Sequence, residues 1–432
     1  MCGMGISSCS SAPCQTRPTS QARPACATSS AIFLWPAQVA AQIGAWSPLG
    51  FITIGLLSLS VALCFAEVSS RFDATGGPYL YTRAAFGDFV GFEVGWMLWF
   101  ARAASQASIM AAMAVALGYY FPAVTAGWPR ALFLSVLTIV LAGINASGVR
   151  QGAIVVNGLT IAKLAPLAVF VVIGLAFIEP HRLTTLPSIT IQQALTAGLL
   201  LIFVYGGYEV VPVPAGEALD PRRDVPFAMI ATIVSVAIVM TLVQVVAQGV
   251  LPNVADHATP IADAAAAFLG VGGALLIGIG SVVSMAGTNM GHVLSGSRII
   301  FALAERGQLP AALARIHPLF RTPVNAIVFT SAVALALAVS GSFVAIAVVS
   351  VLARLVVYGG SAAATLRLRS HAPAGTEVKP AAFVAPLGPT APIVAMCVCA
   401  ALAAGATREQ ILGGTAALII GALFFAAARR RI

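Results

Sequence analysis

Apolar residues run along this chain in long stretches divided by short polar hinges such as Gly44–Pro48, Ser340–Ser342 and Gly405–Arg408. About 20 apolar residues cross the ~30 Å hydrocarbon core of a bilayer as a helix. On that measure the pattern predicts segments near 27–43, 47–68, 86–118, 130–147, 152–178, 191–217, 226–250, 270–304, 323–340, 342–366, 386–404 and 410–428. Only helices and closed barrels satisfy their backbone groups in lipid, and these runs lack the two-residue alternation of barrel strands. The expected fold is an all-α polytopic membrane protein of about 12 transmembrane helices.

Two of the segments are irregular. Phe33–Ile43 covers only ~16 Å at about 1.5 Å per residue, so it reads as half of a broken helix. The sixth segment starts at Ile191 but meets Tyr205-Gly206-Gly207-Tyr208, then Pro212 and Pro214. Paired glycines and prolines do not sustain a regular helix. Interruptions in helices 1 and 6, five helices apart, are the pattern of a five-plus-five inverted repeat that binds its substrate at the breaks, near the bilayer midplane. A packing notch for a neighbouring helix is the other reading of a glycine pair.

Composition supports the membrane reading. Hydrophobic residues make up 59% of the 432 positions and charged residues 9%, against about 25% charged in a soluble chain. The net charge of +9 reports topology rather than a nucleic-acid partner. Arg71, Arg83, Arg150, Arg222, Arg223, Arg298, Arg306, Arg315, Arg321, Arg367, Arg369, Lys379 and Arg429 to Arg431 fall on one set of alternate loops, and only Arg130, Arg182 and Arg408 on the other. Cytoplasmic loops carry the excess of Lys and Arg. Both termini are therefore expected in the cytoplasm, with the chain in the cell's inner (plasma) membrane. Residues 1–28 lack a continuous apolar stretch, so a cleavable signal peptide is not expected.

Of 7 cysteines, Cys2, Cys9, Cys14 and Cys26 crowd near the start without CxxC spacing or a nearby histidine, which argues against a zinc site. Cys64, Cys397 and Cys399 lie in apolar runs and read as packing residues. The chain has no Walker lysine motif, no HExxH and no GxSxG. Neither an enzyme, an ATP-driven pump, a cofactor nor a metal is expected.

Three stretches resemble the amino acid–polyamine–organocation superfamily of permeases. The first is Ala66-Glu67-Val68-Ser69-Ser70-Arg71-Phe72 followed by Thr75-Gly76-Gly77-Pro78-Tyr79-Leu80-Tyr81. The second is Tyr205-Gly206-Gly207-Tyr208-Glu209, continuing through Pro214-Ala215-Gly216-Glu217 to Asp220-Pro221-Arg222-Arg223. The third is Ser295-Gly296-Ser297-Arg298, then Ala304-Glu305-Arg306-Gly307-Gln308-Leu309-Pro310 and Pro323. The spacing matches from about residue 32 to 366. The resemblance implies the broken-helix five-plus-five fold with two peripheral helices, and secondary transport of amino acids, polyamines or related organocations by alternating access.

The resemblance also assigns residues. Backbone groups of Tyr205, Gly206 and Gly207, with those of Ser30, Ala31 and Ile32 in the first helix, would hold the substrate, and Phe203 or Tyr208 would shape its side-chain pocket. Lys163 would occupy the place that a sodium ion takes in sodium-coupled relatives, which disfavours sodium coupling and leaves proton symport or exchange. A lysine snorkelling to the interface is the plain alternative. Glu209 and Glu217 are candidates for proton coupling or gating, with helix capping or pairing as the alternative for Glu217. Glu93, Arg102 and Arg354 are further ionisable residues in apolar segments, expected to pair within the bundle, although Arg102 could face the pathway. Asp220-Pro221-Arg222-Arg223-Asp224, Arg71 and Arg83 could form an inner gate or act only as topology signals. His292 reads as a packing residue.

The start of the chain departs from the family pattern. Ser29-Ser30-Ala31-Ile32-Phe33 stands where members carry Gly-Ser-Gly-Ile-Phe, and Arg17, Pro18, Arg23 and Pro24 replace an apolar half-helix. Ala31 would crowd a close approach of backbone to ligand. The expected organisation is an atypical polar segment over 1–30, mis-framed or degraded, a transporter core over 31–366, and two further helices over 367–432. A receptor that binds an amino acid without moving it, or an inactive permease remnant, are the other functional readings.

Overall fold

The computed structural model describes residues 35–74, 76–118, 121–147, 165–213, 220–257, 259–340, 343–370 and 378–429. The longer helices are α1 (Trp35–Ile43), α2 (Ser47–Ser69), α3 (Pro78–Phe86), α4 (Asp88–Gly118), α5 (Gly127–Ala146), α6 (Ala165–Phe177) and α7 (Ile191–Tyr205). They continue with α8 (Pro221–Val250), α9 (Pro260–Glu305), α10 (Val324–Val339), α11 (Phe343–Ser370), α12 (Thr390–Ala404) and α13 (Arg408–Arg429). No strand occurs among the described residues. The chain is an all-helical, multi-pass membrane protein.

Helix starts follow local chemistry. Pro48, Pro221 and Pro260 stand in the first turns of α2, α8 and α9, where a missing N–H costs nothing. At α7, Thr190 and Gln193 form a reciprocal capping box: the Gln193 N–H donates to Thr190 Oγ1 at 3.2 Å and the Thr190 N–H to Gln193 Oε1 at 2.8 Å.

The helices lie where the apolar runs predict them, with three differences. Helix α8 starts at Pro221 rather than near 226, because proline and the charged residues after it suit a helix's first turn at the membrane edge. Helix α9 extends back to Pro260 and kinks at Gly270 (φ 64°, ψ −157°), where the apolar run itself begins. Helix α3 has nine residues, too few and too polar to register as an apolar run. Gly76 and Gly77 before it adopt φ of 135° and 51°, backbone that glycine enters without penalty.

Many large side chains on the outside are apolar: Leu56, Ile139, Val172, Phe227, Val271 and Leu423 are all more than half exposed. Such a surface suits lipid rather than water. The inside is organised on α4. Trp96 Nε1 donates to the Ala417 carbonyl of α13 at 3.0 Å, and Trp99 Nε1 to Thr330 Oγ1 of α10 at 3.2 Å. Ser105 meets Ser350 of α11 at 3.0 Å.

The basic loops gather at one end of the bundle. Glu67, fully buried at the end of α2, accepts from Arg369 Nε at 2.7 Å and from the Ala385 N–H at 2.9 Å, and lies 3.6 Å from Arg71. Arg222 Nε donates to the Ser70 carbonyl at 2.8 Å. The N–H groups of Ala382 and Phe383 donate to Ser70 Oγ at 3.1 Å, so the segment after α11 lies across the end of α2. Lys379 pairs with Asp73. At the other end, Arg130 donates to the Ala338 carbonyl at 3.1 Å, and Trp46 Nε1 to the Pro187 carbonyl at 2.8 Å.

Glu67 thus joins α2, α11 and the loop before α12. Removing one partner of a buried charge network costs roughly 3 kcal/mol. Glu67→Leu is expected to lower the thermal unfolding midpoint of the protein in detergent clearly, whereas Glu305→Gln, at an exposed helix end, is expected to leave it unchanged. Equal midpoints for both variants and the wild type would count against this role.

Candidate functional site

Helix α7 ends at Tyr205, and two glycines turn the chain out of helical geometry. Gly206 is extended (φ −63°, ψ 148°) and Gly207 has φ 130°. A single 3₁₀ turn over Tyr208–Val210 follows. The Gly76 N–H donates to the Val213 carbonyl at 3.0 Å, so the glycine loop before α3 braces the opened segment. Segment six is therefore broken where the sequence pattern predicts.

Glu209 stands in this break and is fully buried. Arg102 of α4, only 1% exposed, forms an ion pair with its Oε1. Arg354 of α11, 4% exposed, brings Nε to 4.0 Å from the same oxygen. Tyr358 Oη donates to Oε2 at 3.1 Å, and the Gly207 N–H donates to Oε2 at 2.6 Å. Ser350, Arg354 and Tyr358 recur at four-residue intervals and so share one face of α11. Arg354 also donates to Ser105 Oγ at 3.0 Å and to the Phe203 carbonyl at 3.5 Å, with its guanidinium 4.6 Å from the centre of the Phe203 ring. The break is clasped from α4 and α11 by charge-assisted hydrogen bonds, which are stronger than neutral ones.

Phe203, Gly206, Gly207, Tyr208 and Glu209 come together here. Tyr208 is 1% exposed and stacks on Tyr358 with ring centroids 5.6 Å apart, and Phe65 of α2 meets both rings edge-on. The Tyr205 side chain turns away: its Oη donates to the Phe51 carbonyl of α2 at 2.6 Å, which anchors α7 to α2. Ser30, Ala31, Ile32, Lys163 and Glu217 lie outside the described residues.

Arg102 and Arg354 pair within the bundle, as expected. Glu93 does not: it is buried near Gly421 of α13, and its carboxyl makes no hydrogen bond among the described residues. His292 is buried in α9. Cys64 and Cys399 are buried, whereas Cys397 is exposed on the outside of the bundle. The part of Tyr358 was missed by sequence reasoning, although its four-residue spacing from Arg354 in an apolar run was a usable signal. An apolar groove between α2 and α8, lined by Ile52, Leu56, Leu59, Ile233 and Ala237 among others, offers little to a polar solute.

A multi-pass helical bundle whose sixth segment opens around a buried carboxylate belongs to the broken-helix secondary transporters. Comparison with known proteins gives the family. The family described as amino acid permease matches residues 19–426, and this chain belongs to it. It is 32% identical over 384 residues to the serine/threonine exchanger SteT of Bacillus subtilis, covering 85% of this chain and 84% of that protein. It is 24% identical over 396 residues to the methylthioribose transporter of the same organism, with 87% and 84% covered. The branched-chain amino acid permease BcaP, also of Bacillus subtilis, is 24% identical over 312 residues, with 68% and 67% covered. The protein is a secondary amino acid transporter and not an enzyme.

A side chain at position 206 would collide with the Arg354 guanidinium, whereas a Cβ at Gly359, one turn further along α11, would meet nothing within 4 Å. Overpacking costs about 1–3 kcal/mol. Gly206→Ala is therefore expected to lower the unfolding midpoint in detergent, and Gly359→Ala to leave it nearly unchanged. The reverse order would contradict the close approach of Arg354 to the break.

Proposed function

We propose that this permease moves its amino acid by alternating access around the breaks in helices 1 and 6, with Glu209 as the hinge-side anchor. The observation that carries this reading is the burial of Glu209 in the break, held by residues of α4 and α11. A movement of α7 relative to those helices must remake these bonds, so the carboxylate is suited to gating. The free backbone of Tyr205, Gly206 and Gly207 would receive the substrate, with Phe203 and Tyr208 beside it. Ser30, Ala31 and Ile32 would contribute from the first helix.

The same reading gives Lys163 the place of a coupling sodium ion, leaving exchange or proton symport as the transport mode, with Glu217 a further coupling candidate. Residues 31–366 form the transporter core of five-plus-five design, and residues 367–432 add two helices. That α12 packs on α2 and α11, and α13 on α4 and α11, agrees with this division. The clustering of Arg71, Arg222, Arg369 and Lys379 at one end supports a cytoplasmic position for that end. Both chain termini would then face the cytoplasm across the plasma membrane.

Counterflow of labelled amino acids in sodium-free proteoliposomes tests this function. The wild type is expected to show saturable exchange, and Glu209→Gln to reduce it at least about tenfold, the scale of losing one charged hydrogen bond. Exchange that requires sodium, or that survives Glu209→Gln undiminished, would contradict the mechanism.

A further inference from the structure

The ionic cluster at the break is unbalanced. Among the described residues it brings together two guanidinium groups, Arg102 and Arg354, and one carboxylate, Glu209. His292 lies within electrostatic range of both arginines but supplies no negative charge. Glu209 is committed first to Arg102 and to the Gly207 N–H, while Arg354 leans on neutral partners, the Ser105 hydroxyl and the Phe203 carbonyl and ring. The Nε groups of both arginines are buried and make no hydrogen bond among the described residues. A surplus buried cation is costly in a bundle surrounded by lipid, and a carboxylate is the partner that a planar guanidinium fits best.

We propose that the substrate carries a carboxylate in its side chain and places it on Arg102 and Arg354, so that this permease selects an acidic amino acid. The inference rests on the permease reading above. A zwitterionic amino acid adds a carboxylate and an ammonium together and leaves the surplus as it was. A cationic amino acid or a polyamine would bring a like charge to two guanidiniums in a site of low dielectric constant. Only a net anion balances the cluster. Phe203 and Gly206 put Arg354 directly beside the opened backbone, so one ligand can meet the backbone with its α-groups and Arg354 with its side chain.

The test uses the full chain in two assays with one panel: L-glutamate, L-aspartate, L-glutamine and L-arginine. Thermal stabilisation in detergent reads binding, and sodium-free counterflow reads transport. Glutamate or aspartate is expected to bind and exchange at least about tenfold better than glutamine, which has nearly the same shape without the charge, and arginine to do neither. Arg354→Gln is expected to bring the acidic ligand down to the level of glutamine. It should fold, because it removes the surplus charge and keeps the Arg102–Glu209 pair. Arg354→Lys is expected to retain part of the preference.

Binding of glutamate that Arg354→Gln erases, without exchange of any substrate, would uphold the anionic site and refute transport. Exchange of neutral or cationic amino acids in preference to acidic ones would uphold the permease and overturn the inference. Equal handling of glutamate and glutamine, with both lost in Arg354→Gln, would mean that the arginines read the α-carboxylate and would overturn it too. So would an absence of acidic ligand binding in a folded wild type.

Discussion

The burial of Glu209 between Arg102 and Arg354 is the constraint on which the site depends. A carboxylate taken out of water loses several kcal/mol of solvation that an ion pair returns only with good geometry and further hydrogen bonds. Glu209 has both: guanidinium groups from two helices, the Tyr358 hydroxyl and the Gly207 N–H. Because these partners come from α4, α11 and the break itself, the charge can be buried only when three distant parts of the chain are in register. The opened backbone after Tyr205 is therefore a built feature rather than a frayed helix end.

The surrounding helices serve that register. Helix α4, which carries Arg102, is fixed to α13, α10 and α11 by Trp96, Trp99 and Ser105. Helix α7 is fixed to α2 by the Tyr205 hydroxyl. At the basic end, Glu67 and Ser70 close α2 against α11 and the loop after it. These tethers leave the break between Gly206 and Val213 as the joint about which α7 can move relative to α4 and α11. Such a joint is what a broken-helix transporter needs at its midplane.

Much of this was legible in the sequence, for reasons that differ from element to element. Helix positions follow from apolar length, because lipid admits no other way of satisfying the backbone. The break at Gly206-Gly207 was legible because two glycines and two prolines in an apolar run leave few alternatives. Arg102, Glu209 and Arg354 could be recognised as costly residues that need partners. That they pair with one another could not, since no periodicity links positions so far apart in the chain. Helix α3 escaped because its nine residues mix tyrosine, threonine and arginine. The direction of the Tyr205 side chain escaped because it depends on how α7 packs on α2.

A double-mutant cycle between Arg102 and Glu209 tests the central claim most directly, with Arg102→Met, Glu209→Gln and their combination compared by unfolding midpoint in detergent. Each single variant leaves a buried charge with a partner missing, and a loss of about 3–5 kcal/mol is expected for each. The combined variant retains Arg354 as the cluster's one charge and is expected to lose clearly less than the sum of the two, the mark of a direct pair. Strictly additive losses would show that the two side chains do not meet, and the account of the break as an ion-clasped joint would be wrong.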